Sequence, residues 1–264
     1  MIDNVACPHF SNPLITSPQN ERVKLAHALQ TQAKARRKHG KIALEGVRLI
    51  NDALDQGLAP DFILHLPTFT PDSLHTPPDS TLLPAAPEIM RLVCETDAPQ
   101  GAVGVFPMPD RPFPTALTRL LIIDGVRDPG NLGALLRTAA AAGVEGVLLS
   151  PDCVDPFNPK ALRAGMGAHF RIPLAERTWD AIQAVCAPLT VWLADMDGDS
   201  AYDTVDWTEP HALIVSSEAH GASDSAQSVA ARRVFIPMAA STESLNAAAA
   251  AAVLLFEAAR QRAR

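Results

Sequence analysis

The chain has 264 residues, a net charge of −7 at pH 7 and a pI near 5.6. An apolar fraction of 47% with a charged fraction of 19% is typical of a globular protein and excludes a wholly disordered chain. The acidic balance excludes a protein that coats nucleic acid without preference, because such binding depends on neutralising phosphates. Any contact with nucleic acid must therefore be local.

The N-terminus lacks the basic residues and apolar run of a signal peptide, since Asp3, Pro8 and Asn12 interrupt it. The longest apolar run, residues 247–256, is rich in alanine and shorter than the roughly 20 residues that a membrane span needs. The sequence predicts neither a signal peptide nor membrane insertion.

The four cysteines are widely spaced and form no CxxC pair, and no histidine stands at ligand spacing from them. They are Cys7, Cys94, Cys153 and Cys186. We therefore expect no zinc site and no disulfide framework, in keeping with the reducing cytoplasm.

A basic segment over residues 22–48 contains one acid, Glu45. Its cations are Arg22, Lys24, Lys34, Arg36, Arg37, Lys38, Lys41 and Arg48. Residues 23–38 lack Gly and Pro, so they predict one helix that ends at Gly40. Two interpretations remain open: a surface that contacts RNA, or the solvated helix face that such a run of charge usually forms.

Short apolar runs at residues 42–44 and 62–66 predict strands on either side of a helix at 47–56, which together make a small α/β unit. Many Pro, Ser, Thr and Asp residues at 67–87 predict a loop excursion.

Four prolines within residues 106–114 disfavour helix and remove backbone donors, which predicts a stiff linker. We accordingly assign residues 1–110 to an N-terminal domain, with a proline-rich linker at 105–117, and residues 118–264 to a C-terminal domain.

Beyond the linker, continuous apolar runs of strand length alternate with loops and helical segments. The runs are residues 120–123, 147–149, 189–194, 213–215 and 234–236. Continuous rather than alternating apolar strands indicate a parallel sheet covered on both faces by helices. Ligands of such sheets gather at the carboxyl ends of the strands, so the loops there form the candidate site.

The first such loop, residues 124–133, opens a helix that is predicted to run to about residue 142. Its glycines at 125, 130 and 133 allow close approach of a ligand or target to the backbone. Arg137 points away from the apolar stripe of this helix at 100° per residue. Arg137 is therefore outside the core, either as an ordinary surface arginine or as a functional cation.

Two further loops carry polar residues after predicted strands. The second loop, residues 216–223, contains Glu218, which could be a solvated acid, a helix cap or a catalytic carboxylate. The third loop, residues 236–246, ends in Ser244 and Asn246, which either cap the alanine-rich helix that follows or bind a polar ligand edge.

Together and in this order, the loops resemble the three motifs of the SpoU, or TrmH-like, RNA ribose methyltransferases of the SPOUT class. Residues 124–149 resemble motif one, 213–223 resemble motif two and 236–257 resemble motif three. The core of motif one corresponds to Asn131, Gly133, Arg137, Thr138 and Ala139. Upstream, residues 15–24 and 40–50 resemble the RNA-binding domain of the family. Two positions depart from the family pattern: Ser216 stands where glycine is usual, and Ala247 where valine is common.

This resemblance implies an α/β fold with a C-terminal SPOUT trefoil-knot domain on a parallel sheet, although true knots are almost absent from proteins. A small α/β RNA-binding domain, similar to a ribosomal protein, would precede it. The resemblance also implies a homodimer through the C-terminal domain and ribosomal RNA as the substrate. The implied cofactor is S-adenosylmethionine, with contacts from Ser216, Ile236, Ser244, Leu245 and Ala247. The implied RNA contacts are Arg22, Lys24, Arg36, Arg37, Lys38 and Lys41.

A ribose hydroxyl is a poor nucleophile until its proton can leave. The resemblance makes Arg137 the essential arginine, and because arginine stays protonated in proteins, a phosphate clamp suits it better than the role of base. The proton could then leave to that phosphate or to Glu218. Asn131 would orient Arg137 or the ribose, and Ser244 and Asn246 would hold the catalytic loops.

Three alternatives differ in their sequence requirements. A dinucleotide-binding turn needs a GxGxxG pattern, which the glycines at 130 and 133 do not supply. A catalytically inactive RNA-binding protein of the same fold would have a damaged motif one or three, and both are intact. A transfer RNA enzyme remains open, although the N-terminal domain resembles those of ribosomal RNA modifiers more closely.

Overall fold

The computed structural model describes residues 12–96, 100–217, 221–239 and 245–263. Contacts divide the chain into two compact units, Met1–Met108 and Pro109–Arg264. The last strand of the first unit extends through Pro107, so residues 105–107 of the predicted linker belong to a sheet. Within the described part of the chain, no helix has the length and apolar character needed to cross a membrane.

The N-terminal unit packs helices against one mixed sheet. Its described strands lie in the spatial order β1 (Lys41–Glu45), β4 (Ala102–Pro107), β2 (Phe62–His65) and β3 (Leu82–Pro84). Strand β4 is antiparallel to both β1 and β2, whereas β3 is parallel to β2. The helices are α1 (Glu21–Thr31), α2 (Ala33–His39), α3 (Val47–Asp55) and α4 (Pro87–Val93). Apolar side chains of α1, α4 and the sheet form one core.

The single basic helix predicted over residues 23–38 is wrong, because the structure has two helices separated at Gln32. The backbone of Gln32 is extended, with φ −130° and ψ 114°. Arg36 is buried, and its guanidinium donates to the carbonyl oxygens of Leu29 at 2.6 Å and Gln30 at 3.4 Å. These carbonyls stand in the last turn of α1, where no helical amide remains to pair with them. Gly40, with φ 61°, ends α2 as predicted.

The prediction that residues 67–87 form a loop is only partly correct. The segment also contains β3 and a 3-10 turn at Pro71–Ser73. Strand β3 runs parallel to β2, and its Leu83 is buried in the core. A strand of three residues is too short for its periodicity to stand out among prolines.

The C-terminal unit contains the predicted parallel sheet. Its strands lie in the order β7-β6-β5-β10-β8-β11-β9, and every adjacent pair is parallel. They are β5 (Arg119–Asp124), β6 (Gly146–Leu149), β7 (Leu174–Glu176), β8 (Thr190–Ala194), β9 (Ser200–Ala201), β10 (His211–Ser216) and β11 (Arg232–Phe235). The helices are α5 (Pro129–Ala141), α6 (Pro159–Gly165), α7 (Trp179–Cys186), α8 (Asp224–Val229) and α9 (Ala247–Arg262).

Both faces of this sheet are covered, which explains the continuous apolar strands. Leu121 and Ile123 of β5 pack in a cluster with α5 and α9. Leu120 and Ile122 of the same strand pack on the other face with α7 and α8. Burying each such side chain stabilises the fold by roughly 1.5–3 kcal/mol, so the sheet anchors the loops that follow its strands.

Helices α5 and α6 approach closely at Gly133. A Cβ atom at this position would lie 2.6 Å from the Cβ of Ala164 and would also collide with the backbone of α6. We expected Gly133 to allow the approach of a ligand, and the structure corrects this: it allows contact between two helices.

Candidate cofactor pocket and catalytic loops

A cavity of about 330 Å³ opens where β8, β10 and β11 end and α9 begins. Of the five residues predicted to contact a cofactor, four line it: Ser216, Ile236, Leu245 and Ala247. The fifth, Ser244, lies outside the described residues. The carboxyl edge of the parallel sheet therefore brings residues from two separate loops to one cavity, as expected for this sheet type.

The cavity wall combines apolar side chains with a few polar groups, which is the usual composition of a small-molecule site. Val215, Ile236 and Leu254 supply apolar surface. Polar groups come from Ser216 and from Asp195, which follows β8. Such a wall suits a small organic ligand that has both an apolar face and polar groups.

Sequence reasoning missed two charged residues of this wall, Asp195 and Arg233. The Arg233 guanidinium donates to Oδ2 of Asp195 at 3.0 Å, and both side chains are partly exposed. Asp195 directly follows the buried strand β8. Its position directly after a buried parallel strand was the signal that could have placed it here.

The hydroxyl of Ser216 forms a hydrogen bond with a buried carboxylate. The hydroxyl donates to Oδ2 of Asp124, the last residue of β5, at 3.2 Å. Asp124 is only 3% exposed and also accepts from the backbone N–H of Ser223 at 2.8 Å and from the Ser223 hydroxyl at 3.1 Å. The serine that replaces the usual glycine therefore has a partner within the protein.

The first loop is ordered by caps and by one left-handed glycine. Gly125 has φ 63° and donates its N–H to the hydroxyl of Ser150 at 3.0 Å. Asp128 caps α5 by accepting from the N–H of Asn131 at 2.8 Å, and Lys160 pairs with its other oxygen at 3.0 Å. The hydrogen bond from Asn131, followed by the interaction with Lys160, lowers the pKa of Asp128. The first turn of α5 is fixed by these contacts.

Asn131 and Asn246, both predicted to be catalytic, are in contact. Asn246 Nδ2 donates to Asn131 Oδ1 at 3.2 Å. Asn246 also caps α9, because its Oδ1 accepts from the backbone N–H groups of Ala248 at 3.0 Å and Ala249 at 3.3 Å. The sequence left a cap and a site role as alternatives for Asn246, and the structure shows that the cap also joins the first loop to the third.

Arg137 lies on α5 with an exposed side chain, off the buried stripe of Leu132, Leu135, Leu136 and Ala139. No described residue forms a hydrogen bond or an ion pair with its guanidinium. Its position outside the core was predicted correctly. Glu218 and the neighbouring His220 lie outside the described residues.

The basic segment of the N-terminal unit is only partly a surface. Arg22, Lys24, Arg37 and Lys38 are exposed, whereas Lys41 is half-buried and paired with Asp61. The predicted RNA contact at Arg36 is corrected, since its buried guanidinium is occupied by the carbonyls at the end of α1.

A metal site would need several acidic, histidine or cysteine side chains close together. Among residues 12–96, 100–217, 221–239 and 245–263, no group of three or more such residues could hold a metal ion.

Two family patterns match the chain. The SpoU rRNA Methylase family matches residues 118–256, and the MRM3-like substrate binding domain matches residues 20–104. Each match falls within one of the two compact units.

Curated relatives cover nearly the whole chain. Mouse mitochondrial rRNA methyltransferase 3 is 33% identical, over 92% of this chain and 73% of its own length. The 23S rRNA (guanosine(2553)-2'-O)-methyltransferase RlmP of Bacillus subtilis is also 33% identical, over 92% of this chain and 97% of its own length.

Solved structures agree with this similarity. The SpoU methyltransferase AviRb from Streptomyces viridochromogenes, in complex with AdoMet, superimposes with a TM-score of 0.83 at 28% identity, covering 93% of this chain and 99% of that one. The AdoMet-bound rRNA methyltransferase from Sinorhizobium meliloti gives a TM-score of 0.80 at 32% identity, covering 94% and 97%.

Proposed function

The chain belongs to the SpoU rRNA methylase family, and from this membership and the geometry of the loops we propose that it methylates a ribose 2′-hydroxyl of ribosomal RNA with S-adenosylmethionine. One observation carries the proposal for the site. Four of the predicted cofactor residues line a single cavity, which lies at the start of α9 beside the Asn131–Asn246 contact.

Ser216, Ile236, Leu245 and Ala247 would hold the cofactor, and Ser244 would join them by its place in the third motif. When bound, S-adenosylmethionine supplies a methyl group on a positively charged sulfur. The task of the chain is to hold that methyl in line with the attacking oxygen, and such positioning can supply several kcal/mol of a barrier.

Arg137 would bind the phosphate next to the target ribose. Its exposed guanidinium has the planar, bidentate geometry that matches phosphate oxygens. Asn131, held by Asn246, would orient Arg137 or the ribose. As the 2′-oxygen forms its bond to the methyl carbon and the carbon–sulfur bond breaks, the hydroxyl proton would leave to the phosphate or to Glu218.

The N-terminal unit supports ribosomal RNA as the substrate. It matches the MRM3-like substrate binding domain, and its exposed cations Arg22, Lys24, Arg37 and Lys38 can neutralise phosphates. Transfer RNA is the alternative substrate, and a catalytically inactive RNA-binding protein is the alternative role.

The proposal includes a homodimer through the C-terminal domain, the trefoil knot of the SPOUT class and a cytoplasmic location. The dimer is supported by a large apolar side chain that is exposed on α9 of this unit, Phe256 at 50%. The reducing compartment is supported by Cys94, Cys153 and Cys186, which are free thiols.

The test is methyl transfer from radiolabelled S-adenosylmethionine to transcribed ribosomal RNA and transfer RNA, followed by mapping of ribose methylation. We expect incorporation at a ribose of ribosomal RNA. Incorporation into transfer RNA alone would establish the alternative substrate. Binding of RNA without any transfer, by protein that binds S-adenosylhomocysteine normally, would establish the inactive role.

A further inference from the structure

We propose that Asp124 is a positioning residue for the cofactor, whose carboxylate holds the second loop in the shape that forms the cavity wall. This inference rests on the proposed function. Asp124 itself is not among the residues that line the cavity, so it would act through the loop rather than by touching the reacting atoms.

The contacts of Asp124 reach both ends of the second loop. Its carboxylate accepts from the hydroxyl of Ser216, the first residue of the loop, and from the hydroxyl and backbone N–H of Ser223, the last. Its backbone carbonyl accepts from the N–H of Ser217 at 3.0 Å. One residue at the end of β5 therefore fixes where the loop leaves β10 and where it enters α8.

The described residues at the two ends of the second loop form part of the cavity wall. Ser216, Ser217, Gly221 and Ala222 all line the cavity. Within the loop, the N–H of Gly221 donates to the carbonyl of Ser217 at 2.9 Å, and Gly221 has φ 65°. Because this hydrogen bond joins two residues that line the cavity, a displacement of Ser217 or Gly221 would change the shape of the wall.

The burial of Asp124 strengthens this inference. A buried carboxylate is costly unless its oxygens are paired, and hydrogen bonds to a charged acceptor are stronger than those between neutral groups. Here both oxygens are paired, and all three of these hydrogen bonds come from Ser216 and Ser223 of the second loop. Asp124 also begins the first loop, so the same residue connects the cofactor wall to the chain that leads to Asn131.

The experiment compares Asp124→Ala with Asp124→Asn in the full chain. We expect Asp124→Ala to raise the KM for S-adenosylmethionine and the Kd of S-adenosylhomocysteine by about tenfold or more, because the loop loses its ties. The kcat at saturating cofactor should change by less than about threefold. Asp124→Asn should recover most of the affinity, since its amide oxygen can accept from the second loop and its NH2 can donate to the Ser223 hydroxyl.

Glu145→Ala is the matched control, because Glu145 holds the opposite end of the same strand. Its carboxylate accepts from the backbone N–H groups of Thr118 at 2.7 Å and Arg119 at 3.2 Å. This variant should lower the free energy of unfolding without changing cofactor affinity.

Three results would overturn the inference: unchanged cofactor affinity in Asp124→Ala, equal weakening in Glu145→Ala, or a lower kcat with unchanged KM. If Asp124→Ala does not fold, Ser223→Ala removes one of the three hydrogen bonds without changing a residue that lines the cavity, and it must weaken S-adenosylhomocysteine binding. A wild-type chain that binds no S-adenosylhomocysteine would instead reject the proposed function itself.

Discussion

Asn246 donates its side-chain amide to Asn131 across 3.2 Å and thereby joins the start of α9 to the first turn of α5. The two residues are 115 positions apart in the chain. The amide oxygen of Asn246 accepts the hydrogen bonds that cap α9, and its NH2 group donates to Asn131.

This division of roles predicts different effects for two substitutions. Asn246→Asp keeps a good cap but cannot donate to Asn131, so stability should change little while methyl transfer falls at least about tenfold. Asn246→Ala should lose transfer and also about 1 kcal/mol of stability with the cap. Denaturant unfolding and single-turnover assays measure the two effects. Normal transfer by Asn246→Asp would show that the contact is not needed.

Arg137→Ala should leave folding and cofactor affinity nearly unchanged and lower methyl transfer by on the order of a hundredfold, as expected when a contact made in the transition state is lost. Arg137→Lys keeps the charge but not the planar fork, so it should fail almost as badly. Arg177→Ala, another exposed arginine of the same unit, serves as the control and should stay active. A near-normal rate for Arg137→Lys would contradict the phosphate clamp.

Exposed and buried cations of the basic segment should have different effects when they are substituted. Reversing the charge of Arg37 and Lys38 should weaken RNA binding and flatten its salt dependence, because fewer counterions are released. Arg36→Ala should instead lower the free energy of unfolding by about 1–3 kcal/mol, because the carbonyls of Leu29 and Gln30 lose their hydrogen-bond donor. Arg91→Glu, at an exposed position of α4 in the same unit, controls for net charge. An unchanged salt slope for the Arg37 and Lys38 variant would make the segment a solvated face.

His169 should make the fold sensitive to acid. Burial lowers its pKa from the ordinary 6.5 to about 4, and its Nε2 hydrogen-bonds to the carbonyl of Pro156 at 2.8 Å. Between these values the unfolded chain binds a proton that the folded chain excludes, so stability falls as the pH drops below 6.5. Its share of the loss between pH 7.5 and 5 is about 2 kcal/mol.

His169→Gln should reduce that loss by about this amount when unfolding is measured at both pH values. Burial also lowers the pKa of His65 and of His211, but both remain in the variant and in the wild type. Identical pH profiles for the two proteins would show that His169 does not control the acid response.

The large elements of the fold could be predicted because each leaves a strong local pattern. Strands such as β5 and β10 are continuous apolar runs, and the exposure of Arg137 follows from helix periodicity alone. The break at Gln32 could not be predicted, since no glycine or proline marks it and the donor that supports it, Arg36, looks like any other cation of the segment. The packing role of Gly133 could not be predicted either, because its contact is with α6, a separate helix later in the chain.

The candidate site was predictable only in part for a related reason. Motif order identified Ser216, Ile236, Leu245 and Ala247, but it gave no role to Asp124, which begins motif one, or to Asp195, which follows β8. Their importance depends on which strands lie side by side, and strand order in a parallel sheet is set by long-range packing that local patterns do not encode.

The contact between Ser216 and Asp124 bears on how distant homologues are recognised. A search pattern that requires glycine at position 216 would reject this chain, although its serine hydroxyl is bound by a carboxylate 92 residues earlier. A pattern that accepts serine at this position only together with an aspartate at the end of β5 would retain it. In this chain the serine and the aspartate form one hydrogen-bonded pair, so a substitution at either position also changes the surroundings of the other.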